Sequence, residues 1–148
     1  MRYRHMFKKS VKVSDHMLKR PVLAKPDDDL YHAIHQILAH KISGVTVVDD
    51  RHRPIGMLSE LDALKAIVSR EYHQEDVGVM LVKDYMTPNV ETVGVGEDII
   101  DVAMSMLDHK HRRRPVIDSH GTLVGQVTCR QLLKGIKELD HPEDKSER

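Results

Sequence analysis

An α/β fold made of two repeated units is what this sequence predicts. Three observations carry it: a self-match at an offset of 69 positions, apolar helical stripes that open on acidic residues, and short β-branched runs between them. Residues 13–68 align without a gap on residues 82–137 with thirteen identities in 56 positions, and several of the mismatches exchange one aliphatic side chain for another. A unit of this size is marginal alone because it buries too little surface. Two copies are therefore expected to fold together around a pseudo-two-fold axis, with a natural binding cleft between them.

The elements follow in order. Asp27, Asp28 and Asp29 precede Leu30, Ala33, Ile34, Ile37 and Leu38, a stripe at i, i+3, i+4, i+7 and i+8 that reads as one helix face. Acidic residues at its start complement the helix dipole. Ser43-Gly44 is the expected end of this helix. Val45–Val48 reads as a buried strand, residues 49–54 as a turn, and Ile55–Leu58 as the returning strand. Ser59 is then the expected N-cap of a helix carrying Leu61, Leu64, Ile67 and Val68.

The second copy repeats this order. Glu97-Asp98 opens a helix with Ile99, Val102, Ala103, Met106 and Leu107. Pro115–Ile117 and Leu123–Val127 are the strands, and Thr128 caps a helix with Leu132, Leu133 and Ile136. Each unit thus reads strand, helix, strand, strand, helix. The expected organisation is an N-terminal arm at 1–12, a first domain at 13–70, a part-helical linker at 71–81, a second domain at 82–139 and a polar tail at 140–148.

Composition narrows the function classes. The chain of 148 residues balances 23 basic against 23 acidic residues, so it lacks the broad positive field of a general nucleic-acid binder. One Phe, four Tyr and no Trp leave the core to aliphatic side chains. The single cysteine, Cys129, excludes an internal disulfide and fits a reducing cytoplasm; it is expected to be buried or idle. No apolar run reaches membrane-spanning length, and the opening residues lack a signal-peptide stretch, so a cytoplasmic protein without a membrane partner is expected.

The repeated motifs are specific when taken together. The first copy carries Val13-Ser-Asp-His-Met17, Val47-Val-Asp49 and Gly56-Met-Leu-Ser59-Glu-Leu-Asp62. The second carries Val82-Lys-Asp-Tyr-Met86, Pro115-Val-Ile-Asp118 and Gly125-Gln-Val-Thr128-Cys-Arg-Gln131. In these residues the chain, over about 13–138, resembles a tandem pair of cystathionine-β-synthase (CBS) domains, the arrangement called a Bateman module. The resemblance implies a sensor rather than an enzyme. It implies an adenosine-containing ligand in the clefts between the repeats: AMP, ADP or ATP first, with S-adenosylmethionine, NAD or cyclic di-AMP as alternatives. It also implies a homodimer and an effector protein acting in trans. No cofactor is required, although magnesium could accompany ATP.

Site residues follow from the resemblance. A serine hydroxyl at a helix start, with nearby N–H groups, suits a phosphate, and a carboxylate one turn on can accept from both hydroxyls of a ribose. Ser59 and Asp62 are so placed, and the resemblance completes their cleft with Met86, Thr87, Asn89, Glu91, His111, Arg112 and Arg113. Arg112 and Arg113 occupy positions that the resemblance turns toward phosphates; Arg114, by strand alternation, is expected to point elsewhere. The second, weaker cleft would use Thr128, Gln131, Met17, Arg20, Val22, Ile42 and Ser43. Gln131 stands where the pattern has aspartate, so the two clefts are expected to be unequal.

Other chemistry finds no support. His32 and His35 are three apart and His109 and His111 two apart, without Cys or acidic partners at metal-site spacing, so no metal is expected. The sequence carries no nucleophile elbow, Walker-type loop or Rossmann fingerprint. The expected role is regulatory: a ligand favours one arrangement of the repeats, and a partner reads it. The helices at Leu61–Val68 and Leu132–Ile136 are the expected dimer surfaces. The competing expectation is a dimerising scaffold with vestigial clefts.

Overall fold

A computed structural model of the chain describes residues 9–73 and 78–140. Residues 1–8 of the expected arm, 74–77 of the linker and 141–148 of the tail lie outside the described residues. The elements run β1 (Leu23–Ala24), α1 (Leu30–Ala39), β2 (Gly44–Val48), β3 (Pro54–Ser59), α2 (Glu60–His73), β4 (Thr87–Pro88), β5 (Val93–Gly94), α3 (Ile99–His109), β6 (Arg113–Ile117), β7 (Leu123–Thr128) and α4 (Cys129–Asp140). The first repeat has the strand–helix–strand–strand–helix order that the sequence predicts, and the second has it with one additional short strand, β4, ahead of β5.

In space the described chain divides into two units that do not follow the repeats. One holds residues 21–73, 78–91 and 121–123; the other holds 9–20, 92–120 and 124–140. The opening segment of each repeat therefore belongs to the unit built mainly from the other repeat. Val82 is fully buried with Leu30, Ile37, Val45, Val47 and Leu58 of the first repeat. Val13, its counterpart, is fully buried with Val93, Ile99, Val102, Val116 and Val127 of the second. Burying each such side chain contributes about 1.5–3 kcal/mol, which anchors the exchanged segments.

In the first unit the sheet order is β1-β2-β3-β4. The β1 and β2 strands are parallel, with Leu23 beside Thr46; β2 and β3 are antiparallel, with Gly44 beside Ser59; and β3 pairs antiparallel with β4 through Met57 and Thr87. In the second unit β5-β6-β7 form a three-stranded sheet with β5 and β6 parallel. A single bridge, Leu18 to Gln126, occupies the place that β4 has in the first sheet, with N–H···O distances of 2.8 and 2.9 Å.

Several expected details change. The α1 helix ends at Ala39, not at Ser43-Gly44, because Lys41 turns the chain with φ 54°. Lys110 ends α3 in the same left-handed conformation, with φ 57°. Gly44 is instead a strand residue: a β-carbon there would lie 2.8 Å from the Leu58 carbonyl oxygen. Leu38 and Leu107, counterparts in the two copies, are exposed rather than part of the inward stripes. On α2 the inward residues are the small Ala63 and Ala66, while Leu61, Leu64 and Val68 face outward. On α4 Leu132 and Leu139 are core residues and Leu133 is exposed, so the expected dimer surface there loses Leu132. Asp29 and Asp98 cap α1 and α3 by accepting N–H bonds from Tyr31 and Ile100. No helix among the described residues is long and apolar enough to cross a membrane.

Candidate functional site

The start of α2 gathers the central pair. The Ser59 N–H donates to Asp62 Oδ2 at 3.1 Å, and the Asp62 N–H donates back to Ser59 Oγ at 3.0 Å. This reciprocal pair is a capping box shortened by one methylene, and it satisfies two backbone donors at the helix start. The Thr87 hydroxyl donates to the same Asp62 oxygen at 3.4 Å. Thr87 reaches it because β4 pairs with β3, so the expected Ser59, Asp62 and Thr87 are brought together within one unit.

Met86 packs beside them. A β-carbon on Gly56 would lie 2.4 Å from Met86 Sδ, so the glycine is what admits the thioether against β3. Beyond β4, Asn89 is exposed with φ 59°, a conformation that asparagine tolerates, and Glu91 is exposed as well.

The second unit repeats the arrangement with altered chemistry. The Thr128 N–H donates to Gln131 Oε1 at 2.9 Å, and the Gln131 N–H donates to Thr128 Oγ1 at 3.4 Å. Since a backbone N–H can only donate, the amide oxygen must face it, which turns the Gln131 NH2 group away from the cap. Asp62 thus offers a carboxylate where Gln131 offers an amide. Met17 sits on Gly125 as Met86 sits on Gly56, with Sδ 2.5 Å from a β-carbon there. Arg20 of this unit is exposed; Val22, Ile42 and Ser43, expected beside Thr128, belong to the first unit and are half-buried.

His111 and Arg112 lie between α3 and β6 in the second unit, and Arg113 opens β6. Arg112 is exposed, and His111 and Arg113 are half-buried. Arg114 points inward and is 4% exposed, with Nε 3.1 Å from His111 Nδ1 and Nη1 2.9 Å from Ser105 Oγ. Sequence reasoning set Arg114 aside; its counterpart in the first copy, the core residue Val45, was the signal that its position is interior. Cys129, expected to be buried or idle, is exposed as the first residue of α4, with Sγ 3.6 Å from the His111 carbonyl oxygen. His32, His35 and His109 are exposed, and no group of three or more His, Cys, Asp or Glu among the described residues could hold a metal ion.

Comparison with known proteins agrees with this architecture. The CBS domain family matches residues 13–69 and again 82–138. An uncharacterised 17.7 kDa protein of Acidianus ambivalens is 27% identical over 130 residues, covering 88% of this chain and 76% of that protein. The crystal structure of CBSX2 from Arabidopsis thaliana in complex with AMP superposes with a TM-score of 0.77 at 26% identity, covering 88% of this chain and 99% of that one. The inosine-5′-monophosphate dehydrogenase of Halalkalibacterium halodurans is 30% identical over 122 residues, but the chain spans only 23% of that enzyme's length. With both repeats matched at the positions where its own self-similarity places them, the chain belongs to the CBS domain family as a tandem pair.

Proposed function

We propose that this chain is a regulatory module that binds an adenosine-containing ligand, with AMP, ADP or ATP as the first candidates, and performs no catalysis. The observation that carries the reading is the Ser59–Asp62–Thr87 cluster at the start of α2, which brings two hydroxyls and a carboxylate together at the positive end of the helix. A phosphate would be held by the helix start and a ribose diol by the second oxygen of Asp62, because Oδ2 already serves the cap. The relative solved with AMP supports the ligand class. Met86, Asn89, Glu91, His111, Arg112 and Arg113 remain the other candidates, with the guanidinium forks of Arg112 and Arg113 suited to phosphate oxygens. The Thr128/Gln131 subsite, with Met17, Arg20, Val22, Ile42 and Ser43, is the weaker one. With ATP, magnesium would accompany the phosphates.

The reading as a regulatory module is supported by the family match over both repeats and by the CBS-pair relative solved with AMP. Output would then pass through a homodimer or an effector protein in trans, by a shift in the populations of two arrangements. A second reading, a dimerising scaffold, is favoured by one observation: Ser59 and Asp62 satisfy each other as a helix cap without any ligand.

Calorimetric titration with AMP, ATP, S-adenosylmethionine, NAD and cyclic di-AMP separates the two. Saturable binding that weakens in Asp62→Asn supports the sensor. Absence of heat and of thermal shift with every ligand, from nucleotide-free protein, supports the scaffold.

A further inference from the structure

Each helix start holds its acceptor oxygen with two donors, and the sources of the second donor differ. Gln131 Oε1 takes the Thr128 N–H at 2.9 Å and the hydroxyl of the same threonine at 3.4 Å. Asp62 Oδ2 takes the Ser59 N–H at 3.1 Å, but its hydroxyl comes from Thr87, 3.4 Å away and 25 residues further along the chain. Leu18 stands at the position of Thr87 in the other copy and offers no hydroxyl. The start of α4 therefore completes its own cap, whereas the start of α2 takes a donor from the opening segment of the other repeat.

That donor has a geometric consequence. The last torsion of an aspartate is broad and two-fold, so a single bond sets it loosely. Two donors converging on Oδ2 select one orientation of the carboxylate and leave Oδ1 as the oxygen that no described residue engages. Thr87 is itself well held for this task. Its backbone pairs with Met57 across β3 and β4, its neighbour Met86 packs on Gly56, and β-branching restricts its own χ1. Ser59, Asp62 and Thr87 all lie in the first unit. Thr87 is exposed and Asp62 half-buried, so the bond between them adds little to stability, and its effect is on orientation.

We infer that Thr87 is a positioning residue: its hydroxyl fixes the Asp62 carboxylate so that Oδ1 is left to accept from the hydroxyls of a ribose, and it does so without touching the ligand itself. This rests on the nucleotide-binding reading above and adds to it what prepares the carboxylate before a ligand arrives.

The test uses the full chain and calorimetric titration with AMP, 2′-deoxy-AMP and 3′-deoxy-AMP. Thr87→Val keeps the volume and the β-branch without the donor. It should weaken AMP about fivefold, the order of one lost hydrogen bond, and weaken the deoxy analogues less, so that the preference for an intact ribose diol falls. Thr87→Ser, which restores the hydroxyl, should return to within about twofold of the wild type. In an Asp62→Ala background Thr87→Val should cost nothing further, because its effect passes through that carboxylate. No loss in Thr87→Val, equal weakening of all three ligands, or no rescue by Thr87→Ser overturns the inference. An undiminished further loss in the Asp62→Ala background overturns it as well, and assigns Thr87 to the ligand directly. The unliganded protein supplies a separate arm: in denaturant unfolding the effects of Thr87→Val and Asp62→Ala should be less than additive, and strict additivity would overturn the bond between them. Failure of the wild type to bind AMP overturns the nucleotide reading and the ribose role with it, while the unfolding cycle still decides whether Thr87 holds Asp62.

Discussion

The starts of α2 and α4 are the same piece of backbone with different chemistry. Each follows a returning strand, each begins with a hydroxyl residue, and each receives the side chain three residues on as a reciprocal cap. In α2 that side chain is Asp62, and in α4 it is Gln131. Both serve the backbone, so the fold needs an acceptor at this position and is indifferent to its charge. The charge of Asp62 is then surplus to the fold, and surplus chemistry at a helix start is where ligand recognition is to be sought.

Substituting Asp62 should break that comparison most. Asp62→Asn keeps an amide oxygen for the Ser59 N–H, as Gln131 does for Thr128, so melting should change little. Affinity for the adenosine ligand should fall by about tenfold to a hundredfold, because hydrogen bonds to a charged acceptor contribute about 1.5–3 kcal/mol. Asp62→Ala should lose the same affinity and in addition about 1 kcal/mol of stability through the lost cap. Parallel calorimetry and denaturant unfolding separate the two roles; equal destabilisation by both variants would show that the carboxylate is structural.

The methionine–glycine contacts offer a second comparison. The Met of each opening motif packs on the Gly of the strand motif in the other repeat: Met86 on Gly56, Met17 on Gly125. The three atoms nearest to a β-carbon at Gly56 all belong to the flexible Met86 side chain, whereas at Gly125 they include the Leu18 carbonyl oxygen at 2.8 Å. That oxygen accepts the Gln126 N–H and cannot move away without losing the bridge. Gly125→Ala should therefore cost about 2–3 kcal/mol and Gly56→Ala about 1 kcal/mol, within the usual range for overpacking. Denaturant unfolding of the two variants checks this, and a larger loss at Gly56 would reverse the assignment.

Arg114 against Val45 gives a smaller effect of less usual sign. Removing a buried charge whose Nη2 has no partner relieves a desolvation cost, so a residue of similar volume is tolerated. Arg114→Met should unfold within about 1 kcal/mol of the wild type or above it. A large loss of stability would mean that the bonds to Ser105 and His111 hold the unit together.

These contrasts also show what a sequence can and cannot carry. The 69-residue offset, the Asp29 and Asp98 caps and the β-branched runs are local signals, and each element they announce is present. The exchange of opening segments is not local. Val13 and Val82 are identical residues in similar contexts, so nothing in either one says which core will bury it. The helix stripes are narrower than their apolar pattern at Leu38 and Leu107, because an apolar residue at i+8 fits the stripe whether or not a partner covers it. Lys41 and Lys110 adopt positive φ where glycine would signal the turn, so the sequence pattern puts the end of α1 too late. At the start of α2, Ser59 is legible as a helix cap from its position before the apolar stripe; that Asp62 returns the bond is not.

The smallest effect should come from the β2–β3 turn. Asp49 Oδ1 accepts the N–H groups of Arg51 and Arg53, each at 2.9 Å, and Oδ2 takes Arg53 Nε at 3.1 Å. Its counterpart Asp118 accepts the N–H of His120 at 2.8 Å in the matching turn. The Arg53 backbone N–H foremost, then that of Arg51 and the Arg53 charge, hold the Asp49 carboxyl below its ordinary value of 3.8. A lowered value in the folded state means that the carboxylate form is favoured by folding. The turn's contribution is therefore full above 3.8 and is lost as pH falls below 3.8 through the folded value. A carbon-detected NMR titration of Asp49 should give a midpoint under 3.8, and Asp49→Asn should remove that portion of the acid sensitivity while leaving neutral-pH stability little changed. The carboxylate is half-buried in a surface turn and still within reach of salt, so the shift should shrink as ionic strength rises. A midpoint at or above 3.8 would show that the two backbone bonds do not outweigh the cost of holding the carboxylate against the turn.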